Sequence, residues 1–396
     1  MSPTASKSVI GNFFEDFSVG QEIVHATPRT ATRGDAALFI ALTGSRYVLH
    51  SSDAFARAVG YREAPIDDLL TFHFVLGKTV PDISLNAIAN LGYAGCRFGV
   101  PVYAGDTLRS RSTVIGLKEN SDGKTGIVYV RSTGFNQRDE IVLDYFRWVM
   151  VRKRDLSRPA PAAVVPDLPP RVPISELIVP KGLDLSAYDT ALAGSPALWD
   201  DYQPGERIDH MDGMTFEEAE HMMATRLYQN TARVHFNQHV EKQGRFGKRI
   251  VYGGHIISLA RAHSFNGLAN AFRIAAINGG RHTAPSFAGD TIYAWSAVIE
   301  KSEIPGRDDV GALRLRTIAT KDRPCADFPY QRESADGKRD YDPAVVLDLD
   351  YTVLMPRRIE KRVAKKPAKS SAQKTLKNET KTAAKTGAGK KSSRGR

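Results

Sequence analysis

Two histidines occupy matching places in the chain and are the first candidates for acid–base chemistry. His50 ends a loop that begins at residue 44, and His235 ends a loop that begins at residue 229, an offset of 185 residues. An imidazole has an unperturbed pKa of about 6.5, so it can accept or donate a proton near neutral pH. Ser45 and Asn230 stand in the same loops and can orient a water molecule, but neither can replace a carboxylate as a base.

The histidine loops belong to a longer internal repeat. Residues 16–23 recur as 201–208 at an offset of 185, and residues 101–108, with a Gly-Asp-Thr motif, recur as 285–292 at an offset of 184. Three landmarks in the same order at a nearly constant offset indicate a duplicated unit.

Each copy has the same order of predicted elements. A short amphipathic segment precedes the histidine loop, an apolar helical stretch follows it, and three runs rich in β-branched and aromatic residues come last. The helical segments are 35–42 and 66–80 in the first copy and 215–227 and 254–277 in the second. The strands are 107–117, 126–135, 141–152, 291–299, 312–319 and 345–354. This pattern predicts an α+β fold in which an antiparallel sheet wraps around a central helix, duplicated in tandem.

The domain boundaries follow from proline content and charge. We predict an N-terminal domain over 12–152, a linker over 153–195, a C-terminal domain over 196–356 and a tail over 357–396. Seven prolines between residues 159 and 180 exclude a regular helix or a central strand there. The second copy also has an insertion of about 20 residues, assigned to the polar stretch 321–343.

The net charge of +11 lies in the tail. Residues 357–396 hold 15 of the 55 basic side chains and two of the 44 acidic ones, so the rest of the chain is slightly acidic. The tail lacks aromatic residues and is expected to be disordered, and nucleic acid would bind only through it. Cys96 and Cys325 are too few for a disulfide framework, and no apolar run reaches about 18 residues, so we expect a cytoplasmic protein without a membrane span.

The Gly-Asp-Thr segments, each preceded by an aromatic residue, and the segment Arg-Ile-Val-Tyr-Gly-Gly-His at 249–255 carry a family resemblance. The chain resembles the MaoC-like (R)-specific enoyl-CoA hydratases, which have the hot-dog fold, often as a tandem double hot dog. Residues 228–239 and 250–262 are similar to the branch of that family that hydrates mesaconyl-CoA. The resemblance covers almost the whole chain except the linker and the tail.

The resemblance implies a lyase that reversibly hydrates an enoyl-CoA thioester, with mesaconyl-CoA and water giving β-methylmalyl-CoA. It implies an acyl-CoA substrate, and we expect a homodimer. His-rich metal spacing is absent and the linker glycines do not form a dinucleotide-binding loop, so we expect no metal or redox cofactor, and the lack of a long apolar run predicts no membrane partner. The family's loop carries an Asp and a His as a dyad, whereas here the Asp is replaced by Ser45 in the first copy and Asn230 in the second. Asp53, or the free carboxylate of the substrate, is a candidate for the missing group.

We expect the second copy to be catalytic. His235 is the expected acid/base, Asn230 positions water or substrate, and Gly254 donates a backbone N–H to the thioester oxygen at the start of the central helix. His255 is a candidate second proton partner and Gly253 a substrate contact. The first copy has Asp68 near the corresponding place, where a carboxylate would repel an enolate.

Other residues receive more limited predictions. His50 is a second catalytic candidate, unless it is only a structural loop histidine, and Ser45 would contact substrate beside it. Arg233 and Arg46 are candidates for binding the free carboxylate of a dicarboxylic substrate, although either can equally be a surface arginine paired with an acid.

The aspartates of the two Gly-Asp-Thr motifs, Asp106 and Asp290, are expected to hold turns rather than to act as acids. Two alternatives to the preferred function stay open. One is a broader hydratase of monocarboxylic enoyl-CoA thioesters, and the other is a protein that binds acyl-CoA without catalysis.

Overall fold

A single antiparallel sheet organises the protein. The structure, a computed structural model, describes residues 7–333 and 339–358, and within them eleven strands form this sheet. The predicted disordered tail lies outside the described residues from position 359 onward.

The N-terminal half of the sheet has the spatial order β1-β3-β4-β5-β2. Its strands are β1 (Glu22–Thr30), β2 (Ala87–Phe98), β3 (Thr107–Glu119), β4 (Thr125–Phe135) and β5 (Ile141–Arg152). The C-terminal half mirrors this order as β8-β13-β10-β9-β6, with β7 also paired to β9. Its strands are β6 (Arg207–Asp209), β7 (Met214–Thr215), β8 (Arg273–His282), β9 (Thr291–Glu303), β10 (Val310–Lys321) and β13 (Val345–Pro356).

The two halves join where β2 pairs with β8. Tyr93 lies opposite Gly280 and Arg97 lies opposite Ala276, so the matching strand of each copy forms the centre of the continuous sheet. This join makes the structure a double hot dog, as the repeat and the resemblance predict.

Ten helices accompany the sheet in the described part of the chain. They are α1 (Arg33–Thr43), α2 (Val48–Ser51), α3 (Asp53–Ala58), α4 (Asp68–Thr79), α5 (Thr190–Ala193), α6 (Glu218–Leu227), α7 (Arg233–Phe236), α8 (Gln238–Glu241), α9 (Gly253–His263) and α10 (Phe265–Leu268). A π-helical turn, Val80–Ser84, follows α4, and short 3-10 turns lie at Phe14–Asp16, Ile174–Glu176, Leu185–Ala187 and Trp199–Asp201.

The central helices α4 and α9 are almost entirely buried, and they share one hydrophobic core. Phe72 of α4 and Ile257 of α9 belong to the same cluster of buried side chains, together with Tyr228 from the loop after α6. Asp67 caps α4 through its Oδ1, which accepts the Leu69 N–H at 2.8 Å. The core therefore fixes the start of each helix relative to the other half.

The predicted helix over 254–277 is wrong beyond His263. Asn266 and Gly267 leave helical geometry, with Gly267 at a φ of 99°, and β8 begins at Arg273. The first six residues of β8 are buried, because the strand lies at the centre of the sheet. Such a strand lacks polar alternation, so its apolar run could not be distinguished from a helix by periodicity.

The segments outside the two halves pack against them. The proline-rich linker forms one isolated bridge, between Val164 and Leu117, and buries Val172 and Leu183 in a cluster with Phe272. The insertion forms a hairpin of β11 (Gln331–Glu333) and β12 (Arg339–Tyr341), and residues 334–338 of its turn lie outside the described part.

The first two residues assigned to the tail are bonded to the body. The Arg357 N–H donates to the Asp309 carbonyl at 2.8 Å, and the Arg358 guanidinium lies 2.7 Å from the Asp201 carboxylate.

Candidate functional site

His235 is held in one orientation by the backbone. It lies in α7, and its Nδ1 is 2.9 Å from the Ile250 carbonyl oxygen. Because a carbonyl can only accept, Nδ1 carries the proton and Nε2 keeps its lone pair. Burial lowers the pKa of His235 to about 4, partly offset by the hydrogen bond to Ile250. The side chain is thus a neutral imidazole with a free acceptor at neutral pH.

The start of α9 lies three residues beyond that carbonyl and consists of Gly253 and Gly254. A Cβ on Gly253 would lie 2.6 Å from both Cε1 and Nε2 of His282, and a Cβ on Gly254 would lie 2.4 Å from the Tyr252 ring. Both positions therefore require glycine. The first N–H groups of a helix have no acceptor within it, and they favour a developing negative charge.

His282, at the end of β8, brings a second imidazole to this helix start. Its Nε2 is buried and has no hydrogen-bond partner within the described residues. Burial, and next the charge of His235, lower the pKa of His282 to about 4. The ring also lies edge to face with Tyr93 at a centroid distance of 6.1 Å.

A cavity of about 730 Å³ opens beside His282. It lies where β2 and β8 cease to pair, beyond the Tyr93–Gly280 pair. Asn90 lines it, and neither the amide oxygen nor the amide nitrogen of Asn90, both buried, has a partner in the part of the chain described. Arg281 and Arg316 also line it, together with Asp348 and Asp350, and both aspartates pair with Arg316.

Asn230 lines a second cavity, of about 350 Å³. Its Oδ1 accepts the Ala232 N–H at 3.2 Å, which shapes the turn into α7. Lys78, from the end of α4, lines the same cavity, and burial lowers the pKa of its ammonium group to about 8. Asn230 is five residues before His235 in the chain, and it lines a different cavity from His282.

His255 lies in a buried polar network behind the helix start. Its Nδ1 is 3.2 Å from the Tyr228 hydroxyl, and burial lowers the pKa of His255 to about 4. His73 of α4 reaches into the same region, with its Nε2 2.7 Å from the Ser258 hydroxyl, which in turn donates to the Gly254 carbonyl. This network couples the two central helices and supports the first turn of α9.

His221 completes the group of histidines around His235. Burial is the main cause that lowers its pKa to about 3, and the charges of His235 and Arg249 act in the same direction.

The corresponding place in the N-terminal half has a different chemistry. His50 lies 3.1 Å from the Pro65 carbonyl through its Nδ1, which repeats the His235 arrangement. However, α4 begins with Asp68 where α9 begins with Gly253, and the Asp68 carboxylate accepts the Ile274 N–H at 2.9 Å. Arg273 lies 3.9 Å from the same carboxylate. A carboxylate therefore stands where an enolate oxygen would have to bind.

The position of His282 is also different in the N-terminal half. Leu347 pairs with His282 and Leu143 pairs with Phe98, and the two leucines occupy matching places in the repeat. Phe98 is thus the counterpart of His282. Burial raises the pKa of Asp68, which also lies near His50.

The predicted carboxylate-binding arginines have other contacts. Arg233 donates to the Asn86 side chain in the N-terminal half at 3.0 Å, and Arg46 lies over the Phe265 ring at 4.5 Å. Ser45 lies between α1 and α2 beside Arg46, where its backbone N–H donates to the Thr43 hydroxyl at 3.3 Å.

Arg249 is an alternative cation that the sequence analysis did not single out for this role. Its side chain is 11% exposed and forms an ion pair with Glu218, while its Nε is buried without a hydrogen-bond partner in the described ranges. It immediately precedes Ile250, whose carbonyl orients His235.

The turn aspartates behave as predicted. Asp106 and Asp290 each accept a backbone N–H three residues earlier, from Tyr103 and Phe287, at 2.9 Å. Asp53 instead accepts the Ala64 N–H and pairs with Arg33, so its carboxylate is engaged away from His50.

His282, Asn90 and Arg273 were missed because their strands were not predicted. Their positions follow only from the pairing of β2 with β8, which brings residues of one half to the helix start of the other. For His282, the only signal in the sequence was a histidine at the end of an apolar run.

The described residues include neither a helix that could span a membrane nor a side-chain cluster that could hold a metal ion. No helix there is long and apolar enough to cross a bilayer, and no group of three or more His, Cys, Asp or Glu side chains there is arranged to hold a metal ion.

Relatives with known names match most of this chain. The model of the family described as mesaconyl-CoA hydratase matches residues 4–333. A protein of Chloroflexus aurantiacus named beta-methylmalyl-CoA dehydratase is 69% identical over 354 residues, which covers 89% of this chain and 99% of that protein. A mesaconyl-CoA hydratase of Cereibacter sphaeroides is 57% identical and is covered over 100% of its length, with 89% of this chain.

Solved structures agree on the fold. A structure described as a MaoC domain protein dehydratase from Chloroflexus aurantiacus has a TM-score of 0.86 at 69% identity, covering 89% of this chain and 100% of that one. A Mycobacterium tuberculosis protein described as having a double hotdog fold has a TM-score of 0.67 at 26% identity, covering 88% of this chain and 100% of that one. Because the family model and both close relatives span most of the sequence, this chain belongs to the mesaconyl-CoA hydratase family of MaoC-like double hot-dog proteins.

Proposed function

We propose that the protein is a hydro-lyase that reversibly adds water to mesaconyl-CoA to give β-methylmalyl-CoA. The observation that carries this proposal is the position of His235, whose Nε2 lone pair is free because Nδ1–H donates to Ile250. Gly253 and Gly254 begin α9 beside it. The names and identities of the family relatives support the choice of substrate.

The proposed chemistry needs one base and one site for negative charge. The Nε2 of His235 removes a proton from water as the water oxygen bonds to the β-carbon of the enoyl thioester. The double-bond electrons move toward the α-carbon and the thioester oxygen, and a backbone N–H at the start of α9, with Gly254 as the predicted donor, stabilises that oxygen. His235 then delivers the same proton to the α-carbon, which restores the neutral imidazole.

Every proton in this scheme is accounted for by the water that adds. One of its hydrogens ends on the α-carbon, and the other remains on the new hydroxyl. The proposed route uses no metal or redox cofactor, since groups of this chain supply the base and the oxyanion donor. Activity after exhaustive dialysis against a chelator tests that part of the proposal.

The deciding experiment compares His235→Gln with His50→Gln. Loss of absorbance of the enoyl thioester reports hydration of mesaconyl-CoA. We expect the wild type to be active, His235→Gln to lose at least about 10³-fold in kcat, and His50→Gln to change kcat by less than about threefold. An inactive wild type, or an equal effect of the two substitutions, would reject the proposal.

Crotonyl-CoA distinguishes the broader hydratase from a specific one. Equal turnover of crotonyl-CoA and mesaconyl-CoA would identify an enzyme of monocarboxylic substrates as well. Binding of either thioester without turnover would instead identify an acyl-CoA-binding protein.

Location and partners belong to the same proposal. Cys96 and Cys325 are free thiols, which supports a cytoplasmic location.

A homodimer is expected, and light scattering of the full chain tests it. Deletion after Arg358 should abolish retention on DNA at low salt while leaving hydration intact, because the basic tail is the proposed contact.

A further inference from the structure

The family dyad has lost its carboxylate at Asn230, yet the site has gained a second imidazole. His282 ends β8, of which only residues 273–277 lay within the predicted helix, and its ring lies against Gly253 at the start of α9. The contact is close, since a Cβ on Gly253 would lie 2.6 Å from Nε2 of His282. The strand therefore delivers His282 to the place where the thioester of the proposed substrate would bind.

The Nε2 atom of His282 has no hydrogen-bond partner in the described part of the protein. Its Nε2 is buried, and no donor or acceptor in the described residues reaches it. Leaving a buried polar atom without a partner is costly, so the Nε2 atom of His282 indicates a ligand or an ordered water at this place.

His235 and His282 each offer a hydrogen-bond acceptor to a water molecule. The Nε2 of His235 is an acceptor, because its Nδ1–H is committed to Ile250. The charge of His235 also contributes, after burial, to the lowered pKa of His282. Burial keeps both imidazoles neutral near pH 7. A neutral His282 that carries its hydrogen on Nδ1 presents a lone pair at Nε2.

We infer that His282 is a further catalytic residue of the proposed hydration and holds the attacking water jointly with His235. The water donates one hydrogen to Nε2 of His235 and the other to Nε2 of His282, and its oxygen lone pair then points at the β-carbon. The hydrogen on His235 is transferred to the α-carbon, whereas the hydrogen on His282 stays with the oxygen and becomes that of the product hydroxyl. This assignment rests on the proposed function.

The N-terminal half lacks both parts of the arrangement. Phe98 stands at the place of His282, and Asp68 stands at the place of Gly253. A phenyl ring cannot accept a hydrogen from water, and a carboxylate disfavours the enolate. The N-terminal half therefore keeps His50 without the rest of the site.

The test replaces His282 by the residue of the other half and by an amide. His282→Phe removes the acceptor at similar size, and we expect kcat for mesaconyl-CoA to fall by about 10²-fold with KM within about threefold of wild type. His282→Gln keeps an acceptor oxygen, so we expect it to recover at least about tenfold of that loss. The matched control is Phe98→Leu, which alters the counterpart position and should lower Tm without changing kcat.

The outcomes separate this inference from the proposed function. If wild type hydrates mesaconyl-CoA and His282→Phe keeps kcat within about threefold, His282 has no role in the reaction and the inference is overturned. Equal losses in the Phe and Gln variants would also overturn it, because a purely structural role predicts no rescue by an acceptor. An inactive wild type would reject the proposed function itself. If His282→Phe does not fold, His282→Leu replaces it in the comparison with His282→Gln.

Discussion

His235 donates its Nδ1 proton to the Ile250 carbonyl at 2.9 Å, and this one hydrogen bond determines which nitrogen is available for chemistry. His50 and Pro65 repeat the bond at 3.1 Å in the other half, with the same separation in sequence. The duplicated bond is therefore a property of the fold. One difference between the halves is the residue that begins the central helix, Gly253 in one case and Asp68 in the other.

The lowered pKa of His235 predicts the pH dependence of activity. The base must be neutral to accept a proton from water, and burial lowers its pKa to about 4. Groups that face this imidazole are His221, His282 and Tyr252, and no acid among them would raise its pKa. We expect kcat/KM for mesaconyl-CoA to stay constant from about pH 8 to about pH 5 and to fall below that.

A pH–rate profile of the wild type checks this expectation. An unperturbed imidazole would give a midpoint of about 6.5, so a loss of half the rate near that pH would contradict the buried, neutral base. The profile should be measured with full recovery of activity after return to pH 7.5, which excludes acid denaturation as the cause.

The same buried histidines predict how stability depends on pH. Burial lowers the pKa of His221 to about 3 and those of His235, His255 and His282 to about 4. In the unfolded chain each would titrate at about 6.5. Between those values the unfolded state binds more protons than the folded one, so the free energy of unfolding falls as the pH decreases from about 6.5 to about 4.

Urea unfolding at several pH values measures this effect, and His221→Gln provides the control. That variant removes one of the titrating groups. Near pH 5 the slope of the unfolding free energy against pH should therefore decrease by the contribution of about one bound proton, which is 2.303RT per pH unit. A free energy of unfolding that is constant between pH 7 and pH 5 would show that these side chains are not buried in the neutral form.

The strand positions could be predicted from the sequence because both copies of the internal repeat show the same order of elements. The strands after each Gly-Asp-Thr motif agree with β3, β4, β5, β9, β10 and β13 to within a few residues. The turn role of Asp106 was also predictable, since a short acidic side chain before a strand commonly accepts backbone N–H groups. These are local relationships, which a single sequence can show.

The site depends on relationships that are not local. His282 reaches Gly253 only because β8 lies beside β2 at the centre of the sheet, and no periodicity in 254–277 indicates where the helix ends and that strand begins. Likewise, Arg273 reaches Asp68 across the halves. Contacts between distant segments are set by packing of the whole core, so sequence patterns within one segment do not encode them.

Asp68→Asn tests whether the N-terminal counterpart of the site has become structural. The substitution keeps an oxygen for the Ile274 N–H but removes the charge opposite Arg273, which is itself buried. A buried cation without its partner is costly, so we expect the free energy of unfolding to decrease by about 1 to 3 kcal/mol.

Hydration of mesaconyl-CoA by the same Asp68→Asn variant should keep a kcat within about threefold of wild type, because His235 lies at the other helix start. Urea unfolding and the enoyl-thioester assay provide the two measurements. A large loss of kcat with unchanged stability would place the N-terminal half in the reaction and would contradict the assignment of catalysis to one half.

Arg249 provides the test of substrate class. Its Nε is buried without a partner in the described chain, and it lies beside the Ile250 carbonyl that orients His235. A mesaconyl group carries a free carboxylate, which a guanidinium binds through charge-assisted hydrogen bonds. We expect Arg249→Gln to lower kcat/KM for mesaconyl-CoA by about 10- to 100-fold and to change the value for crotonyl-CoA by less than about threefold.

Arg233→Gln is the matched variant, because Arg233 was the cation that the sequence favoured. Its guanidinium donates to Asn86 in the other half, so we expect its loss to lower Tm and to affect the two substrates equally. If Arg233→Gln instead selectively impairs the dicarboxylic substrate while Arg249→Gln does not, then Arg233 binds the carboxylate and leaves Asn86 when substrate enters. Equal losses with both substrates in both variants would mean that neither arginine recognises the free carboxylate.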